Sequence, residues 1–412
     1  MHKLPPALVL DLSPTGIAVA RILHCHGVDV YGVDVSERAI GKFSRYIKKP
    51  SFGFETDLNK KFVDNLIYFS KRFSKKVVLI PCSDVFIEFV SSHFDILNEY
   101  FYIQDSLNPD ISEKFLNKRK FYSLCEELNI PYPKTLYLKG YEKSDYILQR
   151  LRLPMILKPN LIHKWKKYLK GKKVVEIKNK DELNDILKKE RELLKDSMLQ
   201  EIIPGPEENI YVCKCYFDKS GKLLASFTGK KIRQYPPIFG SGSYMVSCEA
   251  KEVEEISISF LTKAGFKGIC GTEFKYDPRD GIFKMLEVNI RPQLWEDLTR
   301  VAGREVVWVA YCDLAGLEIP ELNSQRNGAV WCFLFRDIIS GIWHVSKGNG
   351  KFWKWLCSYM KKIDTDALID FRDFPLLVRL LGYILKEIYL FKIRPNLELI
   401  RKKDDFFPYH RR

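Results

Sequence analysis

The stretch that most constrains this chain is Phe266–Trp295, where two β-like runs flank a short turn. The first run, Gly271–Tyr276, carries Glu273; the second, Phe283–Ile290, carries Glu287 and Asn289 and ends at Arg291. Between them, Asp277-Pro278-Arg279-Asp280-Gly281 has the Asp, Pro and Gly content of a hairpin turn. Side chains alternate faces along a strand, so Glu287 and Asn289 point the same way, and Glu273 on the paired strand can reach that face. Two carboxylates and an amide oxygen converging on one point suit Mg²⁺ better than Zn²⁺. Arg291 adds a planar fork for phosphate or carboxylate. An isolated Glu-x-Asn is ordinarily solvated surface, so the upstream chain must carry the argument.

At 412 residues the chain exceeds one ordinary core, and two or three domains are expected. Its 46% hydrophobic and 29% charged content is that of a globular protein. No signal-peptide run opens the sequence and no uncharged stretch reaches membrane-spanning length, so a cytoplasmic location is expected. Ten cysteines form no C-x-x-C pair and seven histidines no ligand set, which argues for reduced thiols and against structural zinc. The net charge of +15 favours anionic partners.

The order of elements predicts an α/β chain. Ala7–Leu12 reads as a buried strand, Ser13–Gly16 as a tight turn, Ile17–His26 as a helix and Asp29–Val33 as the next strand. This is the opening of a doubly wound sheet, with no G-x-G-x-x-G and therefore no dinucleotide signature. The hydroxyls of Ser13 and Thr15 either cap the helix or hold a small anion. Val77–Pro81 is a further strand, Asp84 reads as a helix cap, and the first domain runs over residues 1–110. Lys118, Arg119 and Lys120 stand at the front of a helical zone that Pro131 and Pro133 stop. Pro154–Pro159 is an apolar strand that delivers Lys158, a cation that needs a counter-ion. The basic loop 160–173 reads as a flap, and Ser197–Gly205 as a strand carrying Glu201, with Glu208 following. Thr228–Ser243 reads as a loop in which Lys230, Lys231 and Arg233 precede a Pro-Pro and a G-S-G-S segment. The tail, 321–412, holds a strand-like Ala329–Phe335 and amphipathic helices over 351–362 and 374–392. The second helix is expected to pack on the protein's own core or a dimer partner, with contact at a membrane surface as the alternative.

Lys158, the basic flap, Q-E-I-I-P-G at 200–205, Glu273 and L-E-V-N-I-R at 286–291 come in an order that resembles the ATP-grasp superfamily. Within it the chain is most similar to the carboxylate–amine ligases related to D-aspartate ligase and to the carbamoyl-phosphate-synthase type of ATP-grasp domain. The resemblance covers residues 7–320. It implies an N-terminal doubly wound pre-ATP-grasp domain, an ATP-grasp domain of two α+β lobes over 111–320 (the small lobe at 130–205), and a mixed extension over 321–412.

It also implies roles. Lys118, with Lys120 as the competing choice, and Lys158 would reach ATP phosphates. Glu201 would accept from the adenine amino group, the backbone of Ile202 and Ile203 would complete adenine recognition, and Glu208 would take the ribose. Glu273 and Glu287 would hold one Mg²⁺, and Glu287 with Asn289 a second, with Mn²⁺ able to replace it. Arg291 would clamp the γ-phosphate or an acyl phosphate. Arg233, with the G-S-G-S loop, is assigned to the substrate carboxylate from its position one strand away. The flap departs from the family in carrying one glycine, Gly171, and His163, Lys172 or Lys173 would stand in for its backbone contacts.

The expected activity is ATP-dependent joining of an acid to an amine, one of them an amino acid. The alternatives are carboxylation, phosphoryl transfer to another acceptor, or a non-catalytic protein that binds nucleotide or nucleic acid. The expected partners are ATP and small carboxylate and amine substrates, with a homodimer allowed and nucleic acid disfavoured.

Overall fold

The structure is a computed structural model that describes residues 4–36, 38–50, 58–160, 174–189, 194–347 and 352–382. The predicted flap over 161–173, with His163, Gly171, Lys172 and Lys173, and the predicted helix beyond residue 382 lie outside them.

The described residues form three sheets. The first is all parallel: β1 (Ala7–Leu10), β2 (Val30–Val33), β3 (Val77–Pro81) and β4 (Phe101–Tyr102), in the order β2-β1-β3-β4. The helix after β1 begins earlier than the sequence suggests, at Pro14. Proline fits its first turn, and the Ser13 hydroxyl accepts from the Thr15 amide at 3.3 Å, so the hydroxyl is a cap. The second sheet, antiparallel, joins β5 (Thr135–Tyr137), β6 (Met155–Pro159), β7 (Val175–Ile177) and β8 (Ser197–Glu201) in the order β5-β8-β6-β7. Its apolar face, with Met155, Leu157, Ile177 and Leu199, meets Ile147, Leu151, Leu183 and Leu194 in a core of its own.

The third sheet has seven strands in the order β13-β12-β9-β10-β11-β14-β15. These are β9 (Ile210–Phe217), β10 (Leu223–Tyr235), β11 (Ser241–Ser247), β12 (Gly268–Asp277), β13 (Ile282–Asn289), β14 (Val330–Cys332) and β15 (Thr365–Asp366). Most of the predicted loop 228–243 is strand: β10 runs on to Tyr235, and the G-S-G-S segment opens β11, paired antiparallel to it. The turn between them needs Gly240, since a Cβ there would stand 2.1 Å from the Pro236 carbonyl oxygen. The C-terminal extension adds β14 beside β11 and β15 beside β14, and so completes the same sheet.

A helix that the sequence reading did not separate, Leu334–Ser346, follows β14 and buries Arg336, Asp337, Ser340 and Gly341. The helix predicted over 351–362 is Phe352–Ser358 among the described residues. From Phe374 the chain is helical again to residue 382, and Leu376 and Leu380 of that segment sit in the core beside the N-terminal domain.

Candidate active site

The hairpin β12–β13 places the predicted carboxylates together. Glu273 pairs directly with Glu287, and Asn289 pairs with Gly271, so all three side chains share one face. A bulge between Glu273 and Phe274 shifts the register, which turns Met285 with Phe274 into the apolar core on the other face. Asn289 Nδ2 donates to Glu287 Oε1 at 3.1 Å, which leaves the amide oxygen directed elsewhere. Across β9, Lys231 of β10 reaches the same row, with its Nζ 2.7 Å from Glu273 Oε1 and 3.3 Å from Gln234 Oε1. Lys231 and Glu273 are both buried.

Arg291 leaves the end of β13 toward the first sheet. Its Nε lies 2.6 Å from Asp84 Oδ1, at the first turn of the helix that follows β3. Lost hydration disfavours charge on both groups, although half of the Asp84 side chain remains exposed, and their attraction outweighs it. The Asp84 carboxyl is held below its ordinary value and the Arg291 guanidinium above its own. Glu287 and Asp11 add to the shift of Arg291, and Lys118 to that of Asp84, so the charges of the carboxylate face, Lys118 and the first sheet act on one another. Asp11 follows β1 in a left-handed conformation, φ 89°, and its carboxylate accepts from the Ser13 amide at 2.8 Å.

Tyr122, on the helix Lys118–Glu127, meets β13, and Lys158 is held within the second sheet. The Tyr122 hydroxyl donates to the Leu286 carbonyl on β13 at 2.8 Å, and burial raises its pKa. Lys158 Nζ donates to Gln200 Oε1 at 2.6 Å, and Gln200 in turn reaches Thr135 Oγ1 at 2.8 Å. The Lys118 amide donates to the Asn160 carbonyl at 3.4 Å, at the base of the predicted flap.

Three of the predicted site residues have protein partners in this structure. The Glu201 carboxylate is already engaged: Oε1 accepts from the Lys134 amide at 2.8 Å and Oε2 from Arg279 at 2.9 Å. That pairing ties the end of β8 to the β12–β13 turn. Glu208 is not brought to the carboxylates. It pairs with Lys354 at 3.1 Å and lines a groove of about 890 Å³ with Lys230, Val246 and Val330. Lys230 lies one register position from Lys231, hence on the opposite face of the sheet from Glu273. Arg233 grips the buried Asp337 through Nε at 2.9 Å and NH2 at 2.7 Å, with Ser358 Oγ at 2.9 Å from NH2. It pins the helix Leu334–Ser346 to β10 and is not a free substrate clamp.

Other residues went unassigned in the sequence reading. Lys214, without exposure, donates to the Arg291 carbonyl at 2.7 Å and pairs with the equally buried Glu296 at 3.0 Å. A lysine in the middle of the apolar run I-Y-V-C-K-C-Y-F was a signal of the kind that singled out Lys158. Lys231 and Asp84 were visible as residues, but their partners lie 42 and 207 positions away.

The oxygen donors fit a hard divalent cation, with two facing carboxylates and an amide oxygen on one strand pair. Among the described residues no cluster of three or more His, Cys, Asp or Glu could hold a metal ion.

No protein-family model matches the chain. It is 30% identical over 252 residues to the D-aspartate ligase of Enterococcus faecium (strain Aus0004), a match spanning 58% of this chain and 59% of the relative. Among solved structures, N5-carboxyaminoimidazole synthetase from Staphylococcus aureus complexed with ADP superposes with a TM-score of 0.60 at 13% identity, covering 80% of this chain and 81% of that one. The biotin carboxylase domain of Hydrogenobacter thermophilus 2-oxoglutarate carboxylase, in complex with MgADP and bicarbonate, superposes with a TM-score of 0.56 at 15% identity, covering 80% and 74%. The fold is therefore the ATP-grasp fold expected from the sequence.

Proposed function

We propose that this ATP-grasp chain is an ADP-forming ligase that joins a carboxylate to an amine through an acyl phosphate, with an amino acid as one substrate. The observation that carries the reading is the facing pair Glu273 and Glu287 with Asn289 beside them. Lys231 and Arg291 flank this set, the charge of Lys118 acts on the Asp84 that holds Arg291, and Lys158 is held by Gln200 on the second sheet. The 30% identity to a D-aspartate ligase supports an amino acid substrate.

A free carboxylate resists attack by an amine because its oxygen is a poor leaving group. Transfer of the γ-phosphoryl group of ATP to a carboxylate oxygen forms the new P–O bond as the bond to ADP breaks. The amine then displaces phosphate from the acyl carbon. Such transfer needs positioning and charge neutralisation more than covalent help. Glu273, Glu287 and the Asn289 oxygen would hold Mg²⁺, Glu287 serving both ions if two bind. The metal would neutralise phosphate charge and align the transferring group. Arg291, oriented by Asp84 and by Lys214 on its carbonyl, would hold the transferring group from the other side. Lys158, oriented by Gln200, would bind the α and β phosphates, and the backbone at Ile202 and Ile203 the adenine.

The test is phosphate and ADP release from ATP against pooled amino acids and organic acids, with product masses read in the same samples. Release that needs both an acid and an amine and yields the mass of their amide supports the reading. Release that needs bicarbonate and yields a carboxylated product would replace it with carboxylation. ATP binding without release under any pool would leave a non-catalytic nucleotide-binding protein.

A further inference from the structure

The helix Leu334–Ser346 is amphipathic in the reverse sense. Its buried face carries Arg336, Asp337, Ser340 and Gly341, while Ile338, Ile342 and Val345 form an i, i+4, i+7 stripe exposed to solvent. The Trp355 ring of the helix Phe352–Ser358 packs on Gly341, where a Cβ would lie 2.2 Å from its Nε1. The two helices therefore make one hairpin-like unit. The second continues the exposed apolar surface with Trp353, 71% exposed, Leu356, and, just beyond it, Met360, 84% exposed. Of the twenty large hydrophobic side chains exposed among the described residues, eight lie between 338 and 360, too many in one short stretch for scattered surface residues.

The charge of this unit has one sign. Residues 338–363 contain no Asp or Glu, and Lys347, Lys361 and Lys362 are exposed, while Lys354, also exposed, pairs with Glu208. We propose that this face docks on the surface of an anionic lipid bilayer, with the aromatic and aliphatic side chains at the headgroup boundary and the lysines on the acidic headgroups.

Charge and chemistry select this occupant over the others. A second copy would bring lysines against lysines. The chain's own residues 383–412 hold eight Lys and Arg against four Asp and Glu, so they are also basic. Nucleic acid offers no counterpart to an aliphatic stripe of Ile338, Ile342, Val345 and Leu356. No helix among the described residues is long and apolar enough to cross a membrane, so the contact is peripheral. This contact is separate from the membrane alternative considered over 374–392, where Leu376 and Leu380 pack in the core as the sequence reading preferred.

The experiment is cosedimentation of the full chain with vesicles of phosphatidylcholine alone or with about one-third phosphatidylglycerol, at low and high salt. Binding is expected to the anionic vesicles, weaker at high salt and weak on phosphatidylcholine. Lys361→Ala with Lys362→Ala should lower partition about twenty-five-fold, near fivefold for each charge. Trp353→Ser with Met360→Ser should lower it at least about tenfold through lost apolar burial. Both double variants should keep the thermal midpoint, since the four side chains are exposed. Absence of binding at low salt, or binding indifferent to both double variants, would overturn the proposal. Retention on immobilised polyglutamate without vesicle binding would overturn it in favour of an acidic protein partner. A stable dimer lost on Trp353→Ser, again without vesicle binding, would overturn it in favour of a second copy.

Discussion

Glu273 faces a choice of cations. Its carboxylate is buried and paired with Lys231 at 2.7 Å, on the face where, in the proposed function, Glu287 and Asn289 would supply oxygen for a metal. A buried carboxylate stripped of its partner is costly, about 3–5 kcal/mol, so one cation or another must stand there. Lys231→Met should therefore lower stability by roughly that amount, and Mg²⁺ should raise the thermal midpoint of the variant more than that of the parent protein. An equal response of the two to Mg²⁺ would place the metal away from Glu273. At Glu287, replacement by Gln removes a ligand charge from a half-buried strand position without opening the core. ADP formation should fall at least about a hundredfold while the unfolding transition keeps its midpoint within a few degrees. Steady-state turnover and calorimetry on the same preparation check this.

At the scale of elements, the second basic strand residue has another task. Arg233 and Asp337 join β10 to the helix Leu334–Ser346, and Asp337 also accepts from Ser243 Oγ at 2.9 Å and from the Tyr359 hydroxyl. Arg233→Ala would leave Asp337 fully buried without its main cation and should cost about 3–5 kcal/mol in urea unfolding, with Arg233→Lys recovering part. The KM for the acid, measured on folded protein, should change less than about threefold, whereas loss of a direct substrate clamp would raise it tenfold or more. The strand pair β10–β11 shows why the sequence misled here. Lysines, a Pro-Pro and glycines read as loop chemistry, but the residues pair on both edges with β9 and β14, and the sheet overrides the local preference.

Across the whole molecule, one buried arginine ties three parts of the chain. Arg21 of the N-terminal domain reaches Asp297 at 3.1 Å, the Asp366 carbonyl at 2.9 Å and Asp370 at 3.4 Å, so the first domain, the segment after β13 and the extension meet at one guanidinium. Burial opposes ionisation of Asp370, but hydrogen bonds from Arg372 and Tyr46 and the charge of Arg21 outweigh it and hold its pKa at about 2. An unfolded Asp titrates near 3.9, so the unfolded chain takes up this proton first. The contribution of Asp370 is whole above about pH 4 and is lost as pH falls toward 2, amounting to about 2 kcal/mol. Asp370→Asn should lower stability at neutral pH and flatten its decline between pH 4 and 2, as urea midpoints across that range will show.

What the sequence determined by itself was local and periodic. The alternation along 271–276 and 283–290, with a turn between, was enough to put Glu273, Glu287 and Asn289 on one face. An apolar run over 154–159 was enough to place Lys158 on a strand, and the order of these segments was enough for the ATP-grasp fold. What only the tertiary structure decided was which charge meets which. Glu201 faces Arg279, Arg233 faces Asp337, Glu208 faces Lys354 and Arg291 faces Asp84 across separations of 78, 104, 146 and 207 residues. An ion pair has no period along the chain and its partner no fixed offset, so its identity emerges only when the sheets bring distant segments within a few ångströms. The reversed helix Leu334–Ser346 belongs with these. Its apolar stripe alone would send it inward, and the buried Arg233–Asp337 pair turned that stripe to the outside.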